Sequence, residues 1–286
     1  MLSFLENDKM LIDSAMSTAL DEKSSEYKII VDAMRYSALG GKRLRGILTL
    51  EFAEMFGCKK EEILPYAIAV ECIQAYSLIH DDLPCMDDDD IRRGKPSCHV
   101  AFGEANALLA GDALLTHAFC VISEAEHAKK HPERALNAIH ILSSLAGFRG
   151  MVGGQVLDLE AAEKEVNADT LAVIHRLKTG ALIKASVLMG CAAAGAEEKL
   201  CKLSEKYAEH FGAAFQIIDD ILDFDGNYET CELNSYVKIH GYEKSVTDAR
   251  AHVDSAKESL YALSELGFCT NHFEELLEYL IIRMNK

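Results

Sequence analysis

Apolar residues recur at three- and four-residue spacing along almost the whole chain. This period is typical of amphipathic helices, and the sequence shows no two-residue alternation of the kind that marks a half-buried strand. The four prolines lie in the first half, at predicted helix starts or in loops, so the second half can form long helices. The pattern predicts an all-α fold, a large helical bundle. Its predicted helices are 9–20, 27–39, 46–56, 61–80, 105–128, 133–147, 169–192, 199–224, 243–266 and 272–284.

The length of the chain predicts one domain, residues 1–286. At 286 residues it is near the upper limit for a single core, and it has no low-complexity linker or solenoid repeat.

Nine cysteines without a C-x-x-C pair predict free thiols in a reducing compartment. The N-terminus lacks a signal-peptide layout, and the longest apolar stretch, 181–196, is interrupted by Lys184 and too short to span a bilayer. We therefore expect a cytoplasmic protein without a membrane anchor.

The formal net charge of −17 restricts the partners that this protein can bind. A nucleic acid would need a basic face, so we expect no nucleic-acid partner. A diphosphate ligand is also unfavourable unless bound cations reverse the local charge.

Two aspartate-rich segments, 78–93 and 215–223, interrupt the apolar pattern. Clustered carboxylates repel one another, and an apolar neighbourhood makes the repulsion worse. A hard divalent cation such as Mg²⁺ relieves it, keeping some waters and accepting phosphate oxygens. The alternative is a solvated acidic loop, but two such segments, each after an apolar helical run, favour a metal site.

In the first segment, Asp81 and Asp82 end a predicted helix before Pro84. A helix C-terminus carries partial negative charge, so carboxylates there call for a cation. The segment closes with Arg92 and Arg93, whose forked donors suit a phosphate group. Together with a metal ion, these residues predict a diphosphate site.

In the second segment, Asp219, Asp220 and Asp223 lie inside an otherwise apolar helix. Their three- and four-residue spacings place carboxylates on one face. A face turned to water is the alternative interpretation, but two acids directly after a pair of isoleucines are unusual for a surface helix.

Two glycine-containing segments add weaker signals. In 40–45, a Gly-Gly pair precedes Lys42 and Arg45, which share a face near a predicted helix start, a favourable place for an anion. An ordinary Gly-Gly turn is the alternative. The glycine-rich stretch 147–158 indicates either close helix packing or a cavity-lining helix with Gln155 and Asp158 facing the cavity.

Two further patterns are weak in isolation. The segment 178–180, Lys-Thr-Gly, is typical of a basic residue at a helix kink. Glu124 and His127 have the spacing of one ligand pair in a di-iron bundle, but that site needs a second pair and more glutamates. We expect Glu124 and His127 on the surface.

Read together, these segments resemble the trans-isoprenyl diphosphate synthases, and among them the bacterial farnesyl diphosphate synthases. The resemblance runs from Gly40 almost to the C-terminus. Its motifs are Gly40-Gly-Lys-Arg-Leu-Arg45, Ser77-Leu-Ile-His-Asp-Asp-Leu-Pro-Cys-Met-Asp87, Arg92-Arg-Gly-Lys-Pro96, Phe102-Gly-Glu-Ala-Asn106, Ala110-Gly-Asp-Ala-Leu114, Gly153-Gly-Gln155, Lys178-Thr-Gly-Ala-Leu182 and Phe215-Gln-Ile-Ile-Asp-Asp-Ile-Leu-Asp223. Their order along the chain is far more specific than any single motif.

The resemblance implies an antiparallel helical bundle of the isoprenoid synthase type around a central cavity, in a homodimer. It also implies a transferase that condenses isopentenyl diphosphate with dimethylallyl or geranyl diphosphate, using three Mg²⁺ per site, with Mn²⁺ as the alternative ion. The implied metal ligands are Asp81, Asp82, Asp87, Asp219 and Asp223.

The remaining roles are implied in the same way. Arg92 and Lys178 would contact the allylic diphosphate, and Thr179 and Gln216 would present oxygens to the allylic cation. Metal ions and cations would stabilise the departing diphosphate, with Asp81, Asp82 and Lys178 central to that step. The implied isopentenyl diphosphate ligands are Lys42, Arg45, Gln74 and Arg93.

Product length depends on the residues just before the first aspartate motif. Tyr76 lies five residues before Asp81, a little more than one helical turn deeper. An aromatic residue there, followed by Ser77, is the short-chain pattern of the family and favours a farnesyl product. The alternative is a core tyrosine without influence on the product.

The chain departs from the family after Asp223, where relatives carry a loop with two lysines. The corresponding stretch, 224–236, is shorter and contains no lysine. The departure leaves three hypotheses open: an active farnesyl diphosphate synthase, a geranyl or geranylgeranyl diphosphate synthase, and a catalytically weakened homologue that acts as a binding or regulatory subunit.

Overall fold

The computed structural model describes residues 3–21, 26–161, 164 and 166–284. The helices in these ranges are α1 (Ser3–Ala19), α2 (Lys28–Ala38), α3 (Leu44–Met55), α4 (Lys60–Asp81), α5 (Cys98–Phe102), α6 (Glu104–Glu124), α7 (Glu126–Lys130), α8 (Pro132–Ala146), α9 (Met151–Ala161), α10 (Ala168–His175), α11 (Ala181–Ala194), α12 (Glu198–Leu222), α13 (Tyr236–His240), α14 (Tyr242–Ser264) and α15 (Asn271–Met284). A π-helical turn, Arg176–Gly180, joins α10 to α11. Strands β1 (Ile91–Arg92) and β2 (Lys95–Pro96) form a short antiparallel hairpin.

The predicted all-α fold is confirmed, with differences where the helical pattern is short or broken. The predicted helix 105–128 is divided at Ala125, whose backbone is extended and separates α6 from α7. The predicted helix 169–192 contains the π-helical turn. Helices α5 and α13 have five residues each, too few to give a periodic signal.

Helices α4 and α11 lie at the centre of the bundle. Residues 66–73 of α4 are all buried, and α4 packs against α3, α6 and α11. A helix that is buried on nearly every side has to be mostly apolar, as α4 and α11 are, although α4 also buries the charged Glu71. The long helix α12 packs against α11 and α14. The aspartate segments therefore follow directly from helices that the core holds in place.

Two local predictions were wrong. Pro65 lies inside α4 rather than at its start. His127 is buried, because the hydroxyl of Tyr66 lies 2.9 Å from its Nδ1 and gives the ring a polar partner in the core. Glu124, in contrast, is exposed as expected.

Within the described ranges, three helical spans are long and apolar enough to cross a bilayer: 60–81, 104–124 and 168–194. The expectation that the stretch at 181–196 is too short was wrong, because the span extends back to residue 168. In the first and third spans, 67% and 61% of the apolar window is buried inside the protein. In the second, α6, only 33% is buried, so α6 leaves apolar surface uncovered.

Candidate active site

The first aspartate motif lies where α4 ends. Asp81 is the last residue of the helix, and its carbonyl accepts a hydrogen bond of 2.9 Å from the Asp87 backbone N–H, so the chain folds back on the helix end. Burial raises the pKa of Asp81 to about 6, and Asp87 adds to the rise while Lys178 opposes it. Burial also raises the pKa of Asp87. Asp81, Asp87 and Lys178 are therefore close enough to influence one another's charge, and Asp81 and Lys178 line the same cavity.

Asp82 faces a different environment. It is only 2% exposed and accepts hydrogen bonds from Arg92, at 2.9 Å from Nε and also from Nη2. Arg92 also reaches Asp89 at 3.2 Å. This hydrogen bonding to Asp82 raises the pKa of Arg92. Both residues line a small cavity of about 230 Å³, whereas Asp81 lines a different one.

The second aspartate motif ends α12. Asp219 accepts a hydrogen bond of 2.8 Å from Arg283 of α15. Asp220 accepts one of 2.6 Å from the Tyr236 backbone N–H and one of 3.0 Å from the side-chain amide of Gln216. Burial raises the pKa of Asp220 to about 6 despite these two bonds. Burial likewise raises the pKa of Asp219, although Arg283 opposes that shift.

Asp223 follows α12 as its C-terminal cap and is exposed. Its backbone N–H bonds the Asp219 carbonyl at 3.0 Å, so the two side chains lie one helical turn apart. The three- and four-residue spacing therefore places the carboxylates of this motif at different depths, with Asp219 partly buried and Asp223 exposed to solvent.

The π-helical turn presents Lys178 and Thr179 to the cavity that Asp81 lines. The ammonium of Lys178 pairs with Asp158 of α9. The turn approaches α9 closely at Gly154, where a Cβ would collide with the Lys178 backbone. The predicted kink is thus a π-helical turn, and the glycine-rich stretch provides both close packing and a cavity wall, because Gln155 also lines the cavity.

Thr179 and Gln216 form one hydrogen-bonded chain with the second motif. The Thr179 hydroxyl donates to Gln216 Oε1 at 2.7 Å, and Gln216 Nε2 donates to Asp220. Since the hydroxyl proton of Thr179 is engaged by Gln216, the lone pairs of the Thr179 oxygen are left available.

The cavity below these groups has a volume of about 500 Å³ and an apolar interior. Tyr76 lines it and is 7% exposed. Ser77 also lines it and donates to the Gln74 carbonyl at 3.0 Å. The other apolar wall residues include Leu78, Leu83, Met86, Leu108, Met151, Val152, Val156 and Leu159.

A second cavity, of about 610 Å³, is lined by Lys42, Arg45, Gln74 and Arg93, as well as by other residues of α1, α3 and α15. Arg45 and Gln74 line both cavities. The Nε of Arg45 is buried without a hydrogen-bond partner, and burial lowers the pKa of this guanidinium. A buried guanidinium whose Nε lacks a hydrogen-bond partner fits an anionic ligand.

The neighbouring arginines, Arg43 and Arg93, differ in what they contact. Arg43 is buried between Asp13, at 2.7 Å, and Glu71, at 3.3 Å, so its charge is used in the fold. Arg93 lies over Gly41, where a Cβ would come within 2.9 Å of its guanidinium. Gly41 has a φ of +90°, which glycine adopts without strain. The Gly-Gly turn therefore allows Arg93 to reach the second cavity.

Two residues at this site were not singled out in the sequence. Arg283 lines the second cavity and pairs with Asp219. The side-chain amide of Asn234 donates to Asp158 at 2.6 Å. Neither residue lies in a recognisable motif, so no local signal identified them.

The shortened segment after α12 is held by its own polar contacts. Asp225 accepts from the Asn227 backbone N–H at 2.8 Å and from Thr230 at 3.0 Å. Lys238, downstream of the segment, bonds the Tyr228 carbonyl, so in this arrangement it does not replace the missing lysines.

Comparisons with known proteins define the class. The family model described as polyprenyl synthetase matches residues 27–236. The chain is 46% identical over 266 residues to farnesyl diphosphate synthase of Escherichia coli (strain K12), with 89% of each chain covered. It is 39% identical over 273 residues to geranylgeranyl diphosphate synthase of Cyanophora paradoxa, with 91% of this chain and 90% of that protein covered. The chain belongs to the polyprenyl synthetase family.

A solved structure gives the same result for the fold. The apo structure of an FPP/GFPP synthase from Zymomonas mobilis has a TM-score of 0.87 and 35% sequence identity, with 97% of each chain covered. The expected isoprenoid synthase bundle is thereby confirmed.

Proposed function

We propose that this protein is a Mg²⁺-dependent farnesyl diphosphate synthase, which joins isopentenyl diphosphate to dimethylallyl diphosphate and then to geranyl diphosphate. The observation that carries the proposal is the pair of cavities that meet at Arg45 and Gln74. One has Asp81 and Lys178 at its mouth and an apolar interior, which suits an allylic diphosphate with a prenyl tail. The other has basic residues, which suit the diphosphate of the second substrate.

The donor set of the aspartate motifs fits Mg²⁺. It consists of carboxylate oxygens, and burial raises the pKa of Asp81 and Asp220 to about 6, so each would gain from a nearby cation. Among the described residues, no group of three His, Cys, Asp or Glu side chains is close enough to hold an ion unaided. Diphosphate oxygens and water would complete the coordination, as is usual for this ion.

The proposed ligands come from the ends of two helices. Asp81 and Asp87 lie at the end of α4, and Asp219 and Asp223 lie at the end of α12. The family resemblance implies that they would hold three ions. Arg92 donates to Asp82 Oδ1 through both Nε and Nη2, so Oδ2 would be the oxygen that Asp82 offers to an ion. When bound, the ions would neutralise the diphosphate as it departs.

The reaction begins with loss of the allylic diphosphate. Its C–O bond breaks, and the electron pair leaves with the diphosphate, to which Lys178 supplies positive charge. The Thr179 oxygen directs lone pairs toward the allylic cation, and Gln216 orients that hydroxyl by accepting its proton. The double bond of isopentenyl diphosphate attacks that cation, and the proton lost from the adduct goes to the departed diphosphate.

Arg45, Lys42 and Arg93 orient the second substrate. A guanidinium that is already buried and without an Nε partner loses little hydration when the diphosphate arrives, which favours a fixed pose. Because Arg45 and Gln74 line both cavities, they set the approach of the double bond to the allylic carbon.

The relatives support farnesyl diphosphate as the product, since three bacterial proteins at 39–46% identity are farnesyl diphosphate synthases. The position of Tyr76 in the cavity wall agrees with a short product. The direct test supplies purified protein with Mg²⁺, labelled isopentenyl diphosphate and either dimethylallyl or geranyl diphosphate, and measures product length. Farnesyl product supports the proposal, geranylgeranyl product contradicts its chain length, and absence of turnover in folded protein favours the regulatory alternative.

We also propose that the protein is a cytoplasmic homodimer. All nine cysteines are free, which suits a reducing compartment. The uncovered apolar surface of α6 includes Leu109, which is 52% exposed. Apolar surface on one helix is a common site of self-association. Light scattering of wild-type protein and of Leu109→Glu tests this, with loss of the dimer expected in the variant.

A further inference from the structure

The motif Ala110–Leu114 in α6 contains a glycine that has no role in the chemistry above. A Cβ at Gly111 would collide with the Nε2 and Cδ2 atoms of His80. The imidazole of His80 therefore occupies a notch in α6 that exists only because Gly111 lacks a side chain. Gly111 is buried in the interior of a regular helix, where alanine would otherwise be favoured.

A hydrogen bond fixes the ring in this notch. His80 Nε2 lies 3.0 Å from the carbonyl oxygen of Leu108, so Nε2 carries the proton and donates. The carboxylate of Asp112 lies 4.0 Å from the same nitrogen. The ring of His80 is thus held by two residues of α6 although it belongs to α4.

The same ring contacts Tyr76. The centroids of His80 and Tyr76 are 5.7 Å apart with the planes at 76°, an edge-to-face arrangement. The two residues are four apart on α4, so they lie on one face. Both line the apolar cavity. The position of the Tyr76 ring therefore depends on a contact that is anchored in α6.

We infer that His80 is a positioning residue for product length, which holds Tyr76 across the cavity through its seat in the Gly111 notch. The inference rests on the proposed function. His80 itself performs no chemistry in it. When the His80 ring is lost or displaced, Tyr76 gains freedom to turn aside, and the prenyl chain can grow by a further unit.

The test compares His80→Ala, Gly111→Ala and the double variant by the ratio of geranylgeranyl to farnesyl product. Each single variant is expected to raise the ratio about threefold to tenfold, the range that loss of one aromatic edge contact allows. Gly111→Ala keeps every side chain that has a role in the proposed reaction. It therefore still tests the inference if His80→Ala folds poorly. The double variant is expected to match His80→Ala, because the new methyl group then has no ring to displace.

Three results would overturn the inference. An unchanged ratio in both single variants would show that the notch does not govern Tyr76. Additive effects in the double variant would show that Gly111 acts independently of His80. A further increase when His80→Ala is added to Tyr76→Ala would show that His80 does not act through Tyr76. Wild-type protein that makes no farnesyl product would overturn the proposed function itself, which distinguishes the two failures.

Discussion

The side-chain amide of Asn234 donates to one carboxylate oxygen of Asp158 at 2.6 Å, while Lys178 contacts the other. The segment that lacks the lysines of the family thus still contacts the site. Its Asn234 side chain holds Asp158, and Asp158 pairs with the ammonium of Lys178. Asn234 and the Tyr236 backbone N–H together connect this segment to both α9 and α12.

Asn234→Asp is expected to raise the KM for geranyl diphosphate, because it places a carboxylate against Asp158 and opens the segment. Loss of a bond to a charged group costs about 1.5–3 kcal/mol, which corresponds to roughly tenfold to hundredfold in KM. Asn227→Ala is the control, since Asn227 lies in the same segment and its side chain accepts a hydrogen bond from the Glu229 backbone N–H, away from Asp158. Steady-state kinetics with equal KM values for both variants would contradict the role of Asn234.

Tyr76→Ala is expected to lengthen the product beyond farnesyl. The change removes an aromatic ring from the cavity wall and leaves room for a further prenyl unit. Chromatography of the dephosphorylated products measures the distribution. Tyr261→Ala, at a side chain that is 66% exposed, controls for nonspecific effects. Unchanged farnesyl output from Tyr76→Ala would show that Tyr76 is only a core residue.

Arg45→Lys is expected to raise the KM for isopentenyl diphosphate by about tenfold or more, because an ammonium retains the charge but loses the planar fork. The KM for geranyl diphosphate should change much less, since Asp81 and Lys178 remain in place. Arg149→Lys, at an exposed position, is the control. Equal increases in both KM values would contradict the assignment of the second cavity.

The pKa of Asp81 makes stability and metal binding depend on pH. Burial raises this pKa from 3.8 to about 6, so the folded chain binds the proton more tightly than the unfolded chain. Ionisation of Asp81 therefore lowers the free energy of unfolding as the pH rises from about 4 to about 6. Mg²⁺ needs the ionised carboxylate, so its affinity should fall as the pH drops through 6.

Asp81→Asn is accordingly expected to stabilise metal-free protein at pH values above the folded-state pKa. The free energy of unfolding should rise by up to about 2 kcal/mol, with solvent screening included, and the melting temperature should rise with it. At a pH below both pKa values the variant should show no gain. Turnover should be lost at either pH. Calorimetry without Mg²⁺ checks the first two outcomes, and a melting temperature that falls in the variant at high pH would contradict them.

Residues within one element were largely predictable from the sequence, whereas contacts between elements were not. Helix α4 was expected at 61–80 and spans Lys60–Asp81, because its apolar pattern and the following Pro84 define both ends. The kink at Lys178 was also recognisable, from the Lys-Thr-Gly pattern. Asn234 and Arg283 were not, since their partners lie 76 and 64 residues away and nothing local marks them.

The pairing of Asp82 illustrates the same limit. The family resemblance implied Asp81, Asp82 and Asp87 as metal ligands, and nothing local indicated the contact between Asp82 and Arg92, because side chains at successive positions near a helix end point in different directions. Asp82 turns toward the hairpin that carries Arg92, and Asp81 turns toward Lys178. The membrane-length argument failed because the π-helical turn continues the helix instead of ending it.

The central claim is that two diphosphates occupy two cavities that meet at Arg45 and Gln74. A crystal structure with Mg²⁺, isopentenyl diphosphate and an unreactive thiolo analogue of geranyl diphosphate tests it most directly. We expect the analogue between Asp81 and Lys178 with its tail toward Tyr76, and isopentenyl diphosphate beside Arg45. Both ligands in one cavity, or a prenyl tail outside the Tyr76 cavity, would contradict the account.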